Sequence, residues 1–370
     1  MAMIKIALIG LGKMGMSHCA IINAHAGVDF VGAADTSKLL RWGLEKYSPI
    51  PVFDDYKEMI SETKPQGVVI ATPTRTHFEI ASYCLERGIN VFVEKPCCLS
   101  YLETSQLREL AGQNSLLVQI GYHNRYIGTF KEARRLVQTG EIGEVYHFSA
   151  DASGPVVIQE KEETWRSQRS EGGGCLYDYS SHVINLVDFV LGDIAEVRGT
   201  RLQNVFSKNV EDAVFSTLIL RTGEAGQLTV SWSEESFRKM TTSLIISGRK
   251  GRIEVDSQEL KLFRNSNHEE ESLRGWNSGY LTDHTEPVDY YLRGEEYSAQ
   301  IDDFVSSIAA ESTDSINSIQ KSGETDRIVA LLIQDNERSY EALPELRAVE
   351  SGPSDNGIAQ RLKRLLPKGT

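Results

Sequence analysis

Met3-Ile4-Lys5-Ile6-Ala7-Leu8-Ile9, followed at once by Gly10-Leu11-Gly12-Lys13-Met14-Gly15, decides the fold. The first run is short and apolar, the pattern of a parallel strand buried on both faces. The second is a Gly-x-Gly-x-x-Gly turn, and Met16 to Ala24 continues it as a helix. Such a turn is common by itself; between a strand and a helix it is the fingerprint of a dinucleotide-binding unit. Gly10 permits the tight turn, Gly12 lets backbone approach a diphosphate, and Gly15 lets helix and strand pack closely. With Leu11, Lys13 and Met14 around it, the helix N-terminus offers free N–H groups and partial positive charge to that diphosphate. Asp35 ends a second strand, Phe30 to Ala34, where a carboxylate accepts the ribose hydroxyls of NAD and repels a 2′-phosphate. NAD is therefore expected over NADP, with Lys38 nearby as the opposing signal.

Strands and helices go on alternating: a strand from Gly67 to Ala71, a helix from Thr76 to Arg87, a strand from Asn90 to Val93, a helix from Tyr101 to Gly112, a strand from Leu116 to Gly121. That alternation implies right-handed crossovers and an α/β, doubly wound parallel sheet of the Rossmann type over residues 1–122. Beyond Tyr122 the texture changes. A helix over Thr129–Thr139 precedes strand-like runs at 145–150, 197–203, 213–221, 225–233, 241–247 and 252–255. These predict a second, α+β domain over 123–342 with a large, mostly antiparallel open sheet. A helix ending near Gly192 interrupts the strands, and two amphipathic helices close the fold, at 298–310 and 324–342, with room to pack back on the first domain. Residues 265–279 read as a loop and 343–370 as a tail; no internal repeat is present.

The 370 residues suit two domains, and 40% hydrophobic with 25% charged side chains is ordinary for a globular chain. A net charge of −13, from 39 basic and 52 acidic residues, argues against binding a nucleic-acid backbone. No apolar run approaches a membrane span, and the start lacks a signal peptide's layout. Cys19, Cys84, Cys97, Cys98 and Cys175 are an odd set without metal-ligand spacing. Adjacent Cys97 and Cys98 read as two thiols of a reduced, cytoplasmic protein.

Three further segments carry chemistry. Thr72-Pro73-Thr74-Arg75-Thr76-His77 follows a strand at the carboxyl edge, where open sheets bind ligands. Thr72 and Pro73 are placed to line a cofactor; His77 is either a cofactor contact or a helix-opening histidine without a chemical task. Glu94-Lys95-Pro96 follows the next strand at the same edge, and the proline restricts Lys95. It is a surface turn, or a cofactor-binding one in which Glu94 and Lys95 line the cofactor, the lysine set beside a nicotinamide to hydrogen-bond a substrate hydroxyl. Gly172-Gly173-Gly174-Cys175-Leu176-Tyr177-Asp178-Tyr179-Ser180-Ser181-His182 opens a helix and sets an acid four residues before an imidazole. One turn apart on a helix, Asp178 can charge the His182 ring or hold its tautomer; a solvated surface pair has the same spacing.

In this order the glycine turn, Thr-Pro-x-x-x-His, Glu-Lys-Pro and Gly-Gly-Gly-x-Leu-x-Asp-x-x-x-His resemble the glucose–fructose oxidoreductase/inositol dehydrogenase/MocA family over nearly the whole chain, Trp165-Arg166 included. The resemblance implies NAD(P)-dependent oxidation of a sugar, polyol, sugar phosphate or nucleotide sugar. It also implies that Lys95, Asp178 and His182 are the catalytic residues, and that the open sheet joins a homodimer or homotetramer. Many members have Gly where this chain has Ser180, and Asp where it has Asn185, which bears on the substrate. Tyr122, His123, Asn124 and Arg125 at the domain junction, with Trp165, Arg166 and Asn185, are candidate substrate contacts; Arg125 also suits a structural ion pair. Two alternatives share the fold: a non-catalytic NAD-sensing regulator, which would not need the lysine and histidine kept here, and an NAD-dependent glycosidase, which would keep both.

Overall fold

The structure, a computed structural model, describes residues 3–157, 165–288 and 291–341, without the side chains of Trp165 and residues 339–341. Ala342 and the tail at 343–370 lie outside the described residues.

The amino-terminal half alternates β1 (Ile4–Ile9), α1 (Lys13–Ala24), β2 (Val28–Ala34), α2 (Lys38–Tyr47), β3 (Val52–Phe53), α3 (Tyr56–Thr63), β4 (Gly67–Ile70), α4 (His77–Leu85), β5 (Asn90–Val93), α5 (Tyr101–Asn114) and β6 (Val118–Ile120). All its strand pairs are parallel, in the order β3-β2-β1-β4-β5-β6, so the order reverses between β1 and β4. A crevice opens at such a reversal, above the carboxyl ends of the strands. The helices start on side chains that take up their free N–H groups: Ser37 accepts from Leu40 N, Asp55 from Lys57 N, and Ser100 from Leu102 N. Helices α1 and α4 are the exceptions, and at α1 the N-cap Gly12 offers no side-chain acceptor.

The second half runs α6 (Gly128–Gln138), β7 (Val145–Ser153), α7 (Ser181–Leu191), β8 (Ile194–Gln203), β9 (Ala213–Leu220), β10 (Ala225–Ser231), β11 (Thr241–Gly248), β12 (Gly251–Asp256), β13 (Glu259–Arg264), β14 (Gly275–Tyr280), α8 (Leu281–His284), α9 (Glu295–Ala309), α10 (Ile319–Ser322) and α11 (Glu324–Glu341). Eight strands form one open sheet, β14-β13-β12-β11-β7-β10-β9-β8, antiparallel except for the β7–β10 pair. Its inner face, with Phe148, Leu218, Leu228, Leu244 and Ile246, packs on α6, α7 and α11. The outer face is left with Phe215, Phe263, Trp276 and Tyr280, three of them well exposed.

Residues 265–279, read as a loop, hold the strand β14 instead, paired along β13. Its large side chains, Trp276 and Tyr280, lie on the exposed face while glycine and asparagine alternate with them, so the buried face carries no apolar period. The short β3 and the strand β13 also escaped the sequence reading. After the second sheet the chain returns: Ile301, Phe304, Val305 and Ile308 of α9 pack against Ile4, Ile6 and Leu8 of β1. Ile120 N donates to Asn317 O, and Asn317 Nδ2 donates to Tyr122 O, which ties the end of β6 to the segment before α10. Among the described residues no helix is long and apolar enough to cross a membrane.

The buried Asp326 of α11 accepts hydrogen bonds from Thr104 Oγ1 (2.5 Å) and Cys98 N (3.3 Å). Burial outweighs both and raises its carboxyl to about 7. A folded value above the unfolded one favours the protonated native form, so this contribution to stability is present at low pH and lost as pH rises towards 7. Asp326→Asn keeps the acceptor without the charge. Thermal unfolding should show the variant more stable than the wild type at pH 8, with the gap shrinking below pH 7 and closing only near pH 4.

Candidate active site

The glycine turn lies where sequence and sheet order place it. Gly10 has φ +95°, and a Cβ on Gly15 would collide with the carbonyl oxygen of Gly10. Around Gly12 there is open space, with no atom within 4 Å of where a Cβ would be. Open space beside uncapped N–H groups fits a diphosphate. Lys13 is exposed and Met14 partly buried at this rim, whereas the Leu11 side chain is in the core. Leu11 N donates to Asp35 Oδ2 (2.6 Å) and Ser37 N to Asp35 Oδ1 (2.7 Å), so the loop and the end of β2 share one carboxylate. Leu11 thus shapes the turn, and its side chain faces away from the crevice. Each Asp35 oxygen keeps a further lone pair for a ribose hydroxyl.

Thr72 lies beside Gly10 across the crevice, and Pro73 is exposed next to it. His77 is turned inward. It is buried, with Nε2 2.9 Å from Thr72 O and Nδ1 3.1 Å from Pro96 O. Its ring ties the loop after β4 to the loop after β5.

Lys95 and Asp178 meet across the two halves. Lys95 Nζ donates to Asp178 Oδ1 and to Asp178 O, both at 2.9 Å, and Arg166 Nε donates to Asp178 Oδ2 at 3.0 Å. Burial alone would raise the Asp178 carboxyl, but the Lys95 and Arg166 charges hold it below the usual carboxylate range. The expected Asp178–His182 pairing is therefore not formed. Leu176–Ser180 is a π turn leading into α7, so residues four apart no longer stack on one face, and two cations take both carboxylate oxygens. His182 is buried, its Nδ1 has no hydrogen-bond partner among the described residues, and its ring meets the edges of Tyr122 (6.1 Å between centroids) and His123 (4.9 Å). Burial, then the charges of Lys95 and His123, push its pKa well below the ordinary imidazole range.

The junction candidates divide. His123 stacks on Tyr297 of α9 (4.7 Å, 21°), and burial takes its pKa down to about 4. Asn124 is buried beside it with Nδ2 unpaired. Arg125 and Asn185 are corrected from substrate contacts to framework. Arg125 is 2% exposed, donates from Nε to Asn185 Oδ1 and from a terminal nitrogen to Asp188 Oδ2, both at 2.7 Å, while Asn185 Nδ2 donates to Thr325 Oγ1. Arg166 reaches the site through Asp178. Trp165 opens a short 3-10 turn, Trp165–Ser167, and its side chain lies outside the described residues. Sequence reasoning missed one contributor and gave another no role of its own. Tyr297 drew notice only as the end of the run Tyr291–Tyr297, similar to family members acting on sugars, whereas a histidine three residues past the glycine turn, His18, was visible as a polar group on a core-facing helix. His18 Nε2 lies 2.6 Å from Glu94 Oε1.

A Rossmann sheet with an uncapped glycine turn, a ribose-height carboxylate and a lysine–aspartate–histidine cluster at the same crevice defines an NAD-binding oxidoreductase. Residues 4–122 match the family described as oxidoreductase family, NAD-binding Rossmann fold, and residues 130–254 match the GFO/IDH/MocA C-terminal domain. The chain belongs to this GFO/IDH/MocA family. It is 27% identical over 243 residues to scyllo-inositol 2-dehydrogenase (NAD(+)) of Bacillus subtilis, spanning 62% of this chain and 67% of that protein. It is 25% identical over 258 residues to D-glucoside 3-dehydrogenase of Escherichia coli, spanning 63% and 70%. In fold it resembles levoglucosan dehydrogenase in complex with NADH, with a TM-score of 0.81, 20% identity and coverage of 90% and 97% of the two chains.

Replacing Asp35 by serine removes both the loop brace and the charge that repels a 2′-phosphate. Titration with each cofactor should show NAD affinity falling about tenfold and NADP affinity rising.

Proposed function

We propose that this chain is an NAD-dependent dehydrogenase that moves a hydride between the cofactor and a secondary hydroxyl or ketone carbon of a sugar, polyol or sugar derivative. The observation that carries the reading is the convergence of Lys95 and His182, from different halves of the chain, on the crevice beside the glycine turn. Bound NAD supplies the hydride acceptor; Gly12, the N-terminal turn of α1, Asp35, Thr72 and Pro73 are the residues that would hold it.

The protein's own part is proton handling and orientation. A lysine ammonium has three N–H donors, and Asp178 takes two of Lys95's, leaving one for the substrate oxygen. That donor stabilises negative charge developing on the oxygen. His182, kept neutral by burial and by the neighbouring cation, takes the hydroxyl proton as general base. Asp178 acts on Lys95, fixing its direction, with Arg166 closing the pair from the second domain. His123, Asn124 and Tyr297 border the same space and are the nearest groups to recognise further hydroxyls. The inositol, glucoside and levoglucosan named for its relatives are all polyhydroxylated rings, which supports the substrate class.

Five buried, unpaired cysteines suit the reducing cytoplasm. We further propose that copies of the chain meet through the outer face of the eight-stranded sheet, supported by its exposed Phe215, Trp276 and Tyr280. Light scattering on a Phe215→Glu, Trp276→Glu double variant should then report a smaller particle than the wild type.

The deciding assay is NADH formation across inositols, hexoses, sugar phosphates and nucleotide sugars. Lys95→Met and His182→Ala should each lower kcat roughly 10²- to 10⁴-fold on the compound that reacts. Because the His182 pKa is depressed, the acid limb of the wild-type profile should lie below the ordinary histidine range. Tight NAD binding with every compound inert would overturn the reading.

A further inference from the structure

Glu94 and His18 have no place in the chemistry just described, yet they form a buried polar pair in the core of the first half. His18, in α1, is 0% exposed, and Glu94, at the end of β5, is 8% exposed. His18 Nε2 lies 2.6 Å from Glu94 Oε1, the ring's edge rests on Phe92, and its Nδ1 has no partner. Among the described residues the ring's one polar anchor is thus Glu94. The second carboxylate oxygen, Oε2, accepts from the backbone N–H of Lys95 at 3.2 Å. On its remaining side Glu94 leans on the bare backbone of Gly121, where a Cβ would come within 3.1 Å of Oε2.

We infer that His18 is a positioning residue: through Glu94 it locks the helix that follows the glycine turn to the backbone of Lys95, so that cofactor helix and catalytic lysine move as one body. The inference rests on the dehydrogenase reading for the role of Lys95, while the contact chain itself does not. The groups facing Glu94 are His18 from α1, Lys95 on its own strand end, His123 after β6, Tyr297 from α9 and His77 from α4. Burial would raise the Glu94 carboxyl, but the His18 hydrogen bond and the His18, Lys95 and His123 charges bring it below the usual range. The carboxylate therefore stays an acceptor for both His18 and the Lys95 N–H.

The test compares His18→Leu, which removes the donor, with His18→Gln, which keeps an N–H at similar reach, and with Glu94→Gln. Carboxyl-carbon NMR of glutamate-labelled protein, with Glu94 assigned by its loss in Glu94→Gln, follows the carboxylate directly. NADH fluorescence titration follows the cofactor. In His18→Leu the Glu94 titration should move up by about one pH unit or more, and the NADH dissociation constant should rise about tenfold. In His18→Gln both should stay near wild type. With a reacting sugar available, kcat should fall more than KM rises in His18→Leu. Should His18→Leu not fold, Glu94→Gln carries the NADH measurement, and unaltered affinity there overturns the proposal. It is likewise overturned by a folded His18→Leu with unchanged Glu94 titration and NADH affinity. A moved titration and weakened NADH binding with no sugar oxidised would uphold the lock and reject the dehydrogenase reading.

Discussion

The ion pair between Lys95 and Asp178 is the contact on which the rest of the site depends. Its partners lie 83 residues apart in sequence, one at a strand end of the parallel sheet, the other on a π turn that feeds a helix of the second domain. An ammonium this enclosed needs a counter-charge, since an unpaired buried charge is far more costly than a paired one. The pair forms only when the two halves are docked. Reactive geometry and domain docking are therefore one event, and Arg166 on the other carboxylate oxygen places a third element under the same condition.

Docking has its own scaffold, separate from the reactive groups. Arg125 is sandwiched between Asn185 and Asp188 of α7, and its guanidinium lies over Phe189. Asn185 carries the connection on to Thr325, at the start of α11. These residues border the crevice by sequence position but point into the protein, and their role is to hold α7, hence His182, at a fixed height above the first sheet. The polar residues of the junction thus do two jobs, with His123 and Asn124 beside His182 and Arg125 beneath it.

Much of this was legible in the residues. The β1–glycine–α1 unit, the acid at the end of β2 and the alternation up to β6 were readable because local pattern and final environment agree: apolar runs become buried parallel strands. The lysine, aspartate and histidine were identifiable as residue types at strand and helix ends. Their partnership was not, because the four-residue spacing holds only on an α-helix, and a π turn replaces it. His77, Arg125 and Asn185 show a second limit, since a polar residue next to a ligand crevice and one inside a buried brace look alike in sequence. The strand β14 shows a third, for an edge strand with its aromatics outward gives no buried-face period.

The return of α9 to the first sheet has a consequence for the order in which the protein is made. Ile301, Phe304, Val305 and Ile308 cover the side of β1 that holds Ile4, Ile6 and Leu8. A ribosome that has released the first 122 residues has released every strand of that sheet but not its cover. The nascent sheet waits with that face only partly covered, by Cys19, Ile21 and Ile22 of α1, while the whole second sheet is translated, a delay of about ten seconds or more at ordinary elongation rates. The amino-terminal half is a domain by topology, but in the cell its completion belongs to the last fifth of the chain.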